Sequence, residues 1–152
     1  MPLLGTSMKL TSHRDYGLRV LMALAVNDDR LVTIEALAEL QKVSRNHPMK
    51  VAQSLVAVGL VKTVRGRRGG LTLARDPKTI RMGSVVRALE ADMELVACLG
   101  EQSASCVLNG ACRLTDSLRN AIEAFLAEVD RFTLADLVAG QSALHRRLAL
   151  AA

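Results

Sequence analysis

The chain is 152 residues long, about one domain, and half of it is hydrophobic, yet aromatic residues make up only 2%. The apolar content is mostly Leu, Val and Ala, which suits interdigitating helices better than a β-sandwich and leaves little for stacking single-stranded bases. Net charge is +5 and unevenly spread: residues 1–75 carry 12 Lys/Arg against 5 Asp/Glu, residues 76–152 carry 8 against 10. The first half is therefore suited to a polyanion, and duplex DNA is the best match. The opening "MPLLGTSMKL" has no cationic region followed by a long apolar run, and no stretch approaches the ~18 apolar residues of a membrane span. A cytoplasmic protein without a membrane partner is expected, with thiols kept reduced.

In chain order, residues 13–27 read as an amphipathic helix with Tyr16, Val20, Leu21, Leu24 and Ala25 at helical spacing. Thr33 is a candidate N-cap for a second helix carrying Ala36, Leu37 and Leu40. After a short "QKV" connector, Ser44 is the expected cap of a third helix, with Met49, Val51, Leu55 and Val58 inward and Gly59 as its stop. Pro48 falls close behind Ser44, where its missing N–H and its ring disturb a helix that begins that early, so a start nearer His47 is the alternative. Two short helices joined by such a turn form a helix-turn-helix.

Leu60–Val64 and Leu71–Ala74 then flank the Gly/Arg loop "RGRRGG", which predicts a β-hairpin. A helix-turn-helix followed by a basic hairpin is a winged helix. "MGSVVRALE" reads as a fourth helix. Further on, Leu114, Leu118, Ile122, Phe125, Val129 and Phe132 form a nearly heptad stripe of roughly five turns. A domain this small offers such a stripe little to bury against, so a helix of a second subunit is its expected partner. "TLADLV" reads as a short capped helix, and the remaining tail as loosely ordered.

The fold class expected is mainly α with a small β-hairpin wing: a winged helix-turn-helix plus a long dimerisation helix. Residues 8–90 are expected to form the DNA-binding domain, 91–113 a loop that carries the cysteines discussed next and would bind their cluster, 114–138 the dimerisation helix and C-terminal helix, and 139–152 a flexible tail. The candidate DNA-binding residues are Thr33, Ser44, Arg45, Asn46, His47 and Lys50 around the third helix, and Arg65, Arg67 and Arg68 on the wing. On a helix entering the major groove, Arg reads guanine, Asn reads adenine, and Lys or Ser holds phosphate. A glycine-rich wing lets its arginines approach the backbone or minor groove.

All the cysteines lie in "CLGEQSASCVLNGAC": Cys98, Cys106 and Cys112, spaced C-x7-C-x5-C. Structural zinc sites favour C-x2-C pairs. Wider spacing suits an iron–sulfur cluster, whose separate irons each take a thiolate. Buried structural thiols, or a disulfide with one thiol left over, fit the spacing too. The scattered histidines His13, His47 and His145 form no nucleophile–base pair with the cysteines, so no enzyme is expected.

"DYGLRVLMALA", "VSRNHPMKV", "LVKTVRGRRGGLTLAR", the three cysteines and "FTLADL" together resemble the NsrR family of nitric-oxide-sensing repressors, a winged-helix group in the superfamily of IscR-type iron–sulfur regulators. The resemblance runs from Met8 to about Leu137. It implies a homodimer that binds double-stranded operator DNA, with Cys98, Cys106 and Cys112 ligating a 4Fe–4S cluster, a 2Fe–2S cluster being the alternative. It implies nitric oxide as the signal, with the cluster-loaded form repressing. It also implies a fourth ligand, Asp15, supplied from the opposite subunit's first helix. Read as chemistry alone, Asp15 is equally a solvated acid or a partner of Arg14 or Arg19. His13, Glu94 and Glu101 are further candidates for the fourth ligand. IscR-type proteins carry a His where this chain has Thr115, and two features depart from the NsrR pattern: Pro48 where a Leu is expected, and the long x7 spacing. The competing expectations are an IscR-type iron–sulfur or redox-status regulator, a thiol- or zinc-based redox repressor, and an iron–sulfur electron carrier.

Overall fold

The computed structural model describes residues 12–90, 99 and 103–151. Helices α1 (Ser12–Val26), α2 (Ile34–Gln41) and α3 (Asn46–Ala57) are followed by the antiparallel strands β1 (Val61–Val64) and β2 (Gly70–Leu73). Next come a 3-10 turn (Pro77–Thr79), α4 (Met82–Leu89), a second 3-10 turn (Ser103–Ser105), the long α5 (Arg113–Val129), α6 (Leu134–Val138) and α7 (Ser142–Leu148). The mainly helical fold with one hairpin is the expected winged helix-turn-helix.

One core holds the winged half together. Val20, Leu21 and Leu24 of α1 meet Leu37 of α2, Val51 and Leu55 of α3, and Val61 and Leu71 of the hairpin. Each of these is nearly inaccessible to water, so each carries on the order of 1.5–3 kcal/mol of burial. The hairpin register pairs Val61 with Leu73 and Val64 with Gly70. A third segment joins its edge, since Val32 exchanges backbone hydrogen bonds with Leu71 at 3.0 and 2.8 Å. That approach needs Gly70, because a Cβ there would lie 2.9 Å from the Val32 carbonyl oxygen.

Local chemistry fixes the helix-turn-helix. Thr33 caps α2 as expected, its Oγ1 accepting from the Ala36 N–H at 3.1 Å. Lys42 closes α2 in the left-handed conformation, φ 54, and its N–H returns to the carbonyls of Ala38 and Glu39. Helix α3 begins at Asn46, close to the later of the two expected starts. Ser44 is not the cap: Arg45 holds that position without a side-chain cap bond, and Ser44 supplies only a carbonyl to the His47 N–H at 3.0 Å. Pro48 is thus the third helical residue, where its missing N–H has no partner to lose, and its ring is fully buried. Pro48 and Ala52 therefore join Val51 and Leu55 as the inward face, while Met49 and Val58, expected inside, are each 39% exposed. Gly59 ends the helix with φ +74, as expected.

The C-terminal part differs more. Residues expected to be a loose tail form α7, which packs Leu144, Leu148 and Leu150 on the core. The buried Asn27 side chain fastens it, donating to the Leu148 carbonyl at 2.8 Å and accepting from the Leu150 N–H at 3.0 Å. Periodicity missed this because α7 is only seven residues long and its anchor lies more than 120 residues away. Helix α6 begins with a reciprocal capping box between Thr133 and Asp136. These bonds hold the Asp136 carboxyl below the usual carboxylate range, the Thr133 N–H having the largest effect.

Helix α5 leans on α4 at its C-terminal end. Its one buried residue is Leu126, which lies outside the predicted stripe. Gly83 permits this contact: a Cβ there would be 2.6 Å from both the Leu126 carbonyl oxygen and the Asp130 carboxyl. Asp130 then caps α4, its Oδ1 accepting from the Ser84 N–H at 3.0 Å, and pairs with Arg87 at 3.3 Å. The predicted stripe stays largely uncovered: Leu114, Phe125 and Phe132 are exposed, and Leu118, Ile122 and Val129 are half-buried.

Candidate DNA interface and cysteine site

The two sets of candidate residues lie on separate parts of the chain. On the basic half, Ser44, Arg45, Asn46 and Lys50 are exposed around the start of α3, and Arg65, Arg67 and Arg68 are exposed on the loop between β1 and β2. Arg45 reaches across the turn to Glu35 of α2 at 2.8 Å, an open ion pair that a phosphate or a base could replace at small cost. Thr33, occupied as a cap, still lies on the surface.

His47 is placed differently from its neighbours. Its half-buried ring packs edge-on against Tyr16, centroids 4.2 Å apart and planes at 71°. Among the described residues its buried Nε2 has no hydrogen-bond partner. The ring joins α3 to α1, whereas Arg45, Asn46 and Lys50 face solvent. Arg19 in turn lies 5.4 Å over the Tyr16 ring.

Helix α1 therefore carries more of the site than its sequence suggested. His13 Nε2 lies 2.9 Å from Ser54 Oγ of α3, so that ring is engaged within its own chain. Asp15 pairs with Arg19 one turn on at 2.8 Å, yet its side chain remains 47% accessible. Arg14 turns to α4, meeting Glu90 at 3.0 Å and the Leu89 carbonyl at 3.3 Å. Only the Asp15–Arg19 contact could be read from spacing; the others join residues 41 to 76 positions apart.

Of the cysteines, Cys98 lies outside the described residues, as do Glu94 and Glu101. Cys106 and Cys112 are half-buried free thiols. Cys112 is the N-cap of α5. There the Thr115 N–H, then its hydroxyl, then the Leu114 N–H hold the thiol below its ordinary pKa, against smaller opposing effects of burial and then Asp116. Thr115, the residue at the IscR-type histidine position, thus directs its polar groups to Cys112. A polar cleft of about 320 Å³ opens beside this sulfur, lined by Asn109, Gly110, Arg113, Asp116 and Arg119 among others. Among the described residues no three His, Cys, Asp or Glu side chains gather closely enough to hold a metal. The donor chemistry nonetheless fits iron: a sulfur biased toward thiolate at a helix N-terminus, and a second free thiol six residues before it. No helix among the described residues is long and apolar enough to cross a membrane.

Comparison with known proteins places the chain among transcriptional regulators. A family model described as "Rrf2: Iron-dependent Transcriptional regulator" matches residues 10–140. The HTH-type transcriptional regulator NsrR of Bacillus subtilis strain 168 is 44% identical over 132 residues, which cover 86% of this chain and 90% of that protein. Its namesake from Bacillus licheniformis is 40% identical, over 93% of this chain and 99% of that one. Among solved structures, the global cysteine regulator CymR of B. subtilis superposes with a TM-score of 0.70 at 25% identity, over 90% of this chain and all of that one. IscR of T. potens superposes with 0.67 at 27% identity, over 87% of each chain.

Proposed function

Because the chain belongs to the Rrf2 family of DNA-binding transcriptional regulators rather than to a family of enzymes, we propose that it is a nitric-oxide-responsive repressor. It binds operator DNA as a homodimer while Cys98, Cys106 and Cys112 hold an iron–sulfur cluster, and it releases the DNA when nitric oxide reaches that cluster. The observation that carries this reading is Cys112 as the N-cap of α5. A ligand held there is joined directly to the helix whose uncovered stripe calls for a second subunit.

A bound cluster, 4Fe–4S rather than 2Fe–2S in this reading, supplies iron to which nitric oxide can bind. The Thr115 and Leu114 groups lower the pKa of the Cys112 thiol and so favour the thiolate that ligation needs. The partner subunit's Asp15 would complete the ligand set: on α1 this carboxylate is accessible and pairs with Arg19 in an exposed ion pair. As a hard oxygen donor it is the weakest-matched ligand for iron, so its iron is the most open to a small molecule. Since α1 also contacts α3 through His13 and Tyr16, release of Asp15 alters the setting of the recognition helices. Paired helices must span about 34 Å to enter successive major grooves, so a shift of a few ångströms undoes simultaneous docking. Arg45, Asn46 and Lys50 then provide groove contacts, with Arg65, Arg67 and Arg68 on the backbone or minor groove.

The test is an anaerobic titration of an operator duplex, with absorbance recorded, before and after nitric oxide. Tight, salt-sensitive binding by a coloured protein, weakened by roughly tenfold or more on nitrosylation, is expected. A colourless protein that contains zinc, or equal binding by a variant with all three cysteines changed to serine, would instead favour a thiol- or zinc-based regulator. That second reading draws on the same depressed Cys112 thiol.

A further inference from the structure

The proposed function leaves one buried ionic contact unused. Arg14 and Glu90 face each other with side chains 17% and 5% exposed, Nη1 to Oε1 3.0 Å. The same guanidinium donates through Nε to the Leu89 carbonyl at 3.3 Å. Leu89 is the last residue of α4 and Glu90 its C-cap. Arg14 thus closes the exposed carbonyl end of α4 with a cation, as the helix dipole favours.

Its neighbours face the other way. His13 meets Ser54 and Tyr16 meets His47, both on α3. Between them Gly17 lets α1 sit so close to both helices that a Cβ there would be 2.8 Å from Leu89 Cδ1 and 3.9 Å from Val51 Cγ1. The first two turns of α1 are a wedge with the recognition helix on one side and the end of α4 on the other. The segment that carries Cys98 starts at the residue after Glu90.

We infer that Arg14 is a positioning residue that fixes the start of the cysteine segment to the recognition helix through the Arg14–Glu90 pair, so that the state of one is transmitted to the other. This rests on the proposed function for what the cysteine segment binds, but the mechanical link stands apart from it. A purely stabilising pair would weaken every form of the protein alike. A coupling pair sets the difference between forms. Breaking it leaves an uncompensated buried charge, so folding must be checked alongside.

The experiment compares full-length wild type with Arg14→Gln, Arg14→Lys and Glu90→Gln. The first readout is amide hydrogen exchange in the cluster-free protein. Arg14→Gln is expected to speed exchange roughly tenfold both along α3 and in residues 103–112, leaving α2 and the hairpin unchanged. Arg14→Lys, which keeps the charge but not the fork, is expected to restore part of the protection. The second readout is the ratio of operator affinities with and without the cluster, expected to fall toward one in Arg14→Gln and Glu90→Gln. Should Arg14→Gln fail to fold, Glu90→Gln, which keeps the side-chain volume, carries both readouts. Exchange raised only at α4 and the first turn of α1, or a wild-type affinity ratio kept by both variants, overturns the coupling. A wild type whose affinity ignores the cluster overturns the cluster-dependent repressor reading instead, and the exchange data still decide the link.

Discussion

Helix α3 buries Pro48, Val51, Ala52 and Leu55 against its own chain, while α5, five residues longer, buries only Leu126. Both sequences are amphipathic, but one apolar face is satisfied within the subunit and the other is left to water. The same contrast runs through the polar groups. Thr33, Asn27 and Thr133 spend their side chains on bonds inside the fold, whereas Cys106 and Cys112 remain free thiols. The winged half completes itself, and the α5 half presents groups that call for something outside the chain.

The strongest way to break that contrast is to change one residue on each face. Leu55→Ala removes a fully buried side chain and is expected to cost about 2–5 kcal/mol, read as a lower urea midpoint at every protein concentration. Phe125→Arg alters a side chain that is 45% exposed, so the subunit should keep its helical circular dichroism. Its effect is expected in sedimentation, as dissociation at concentrations roughly tenfold or more above those that dissociate wild type. An unchanged sedimentation profile would mean that the stripe is covered by something other than a second copy. Gly83→Ala tests the close contact of α5 with α4. The added methyl meets the Leu126 carbonyl oxygen, a backbone atom that cannot rotate away, and about 1–3 kcal/mol of destabilisation is expected. Loss of much less would show that α5 can slide along α4 freely.

What could be read from the sequence was what local chemistry decides. The Thr33 cap, the Gly59 stop, the hairpin around Arg65–Gly70 and the capped helix after Phe132 each depend on a few adjacent residues, and each is present. For α3 the sequence offers two starts: Ser44 is a good cap by residue type, but Pro48 disfavours a helix that begins that early. The helix begins at Asn46, next to the later of the two, with the Pro48 ring buried. Leu126 was missed because the periodic stripe describes what α5 shows outward, and its inward contact needs only one residue opposite a glycine. At the site, the cysteines stand out by spacing and Asp15 only through the family resemblance, while the Arg14–Glu90 and Tyr16–His47 contacts join elements far apart in sequence and carry no local signature.

The smallest expected effect concerns acid dependence, and it separates the two halves by sign. Burial pushes the Glu90 carboxyl above its ordinary 4.5, with Arg14 opposing it. A carboxyl raised in the folded state takes up its proton more readily there than in the unfolded chain, so its contribution to stability is fully present below 4.5 and is lost as pH rises through the folded value. Asp136 runs the other way. Its carboxyl is held below its ordinary 3.8 by Thr133, so its contribution is present above 3.8 and is lost as pH falls through the depressed value. The two windows therefore do not overlap: between 4.5 and neutral pH only Glu90 of this pair changes charge. In that range the stability of wild type relative to Glu90→Gln, measured by urea unfolding at a series of pH values, should decline as pH rises. Relative to Asp136→Asn it should stay flat there and fall only below 3.8. A difference from Glu90→Gln that instead grows toward neutral pH would mean that Arg14 outweighs burial, making the α1–α4 contact a net stabilising ion pair and not one whose charge is merely tolerated.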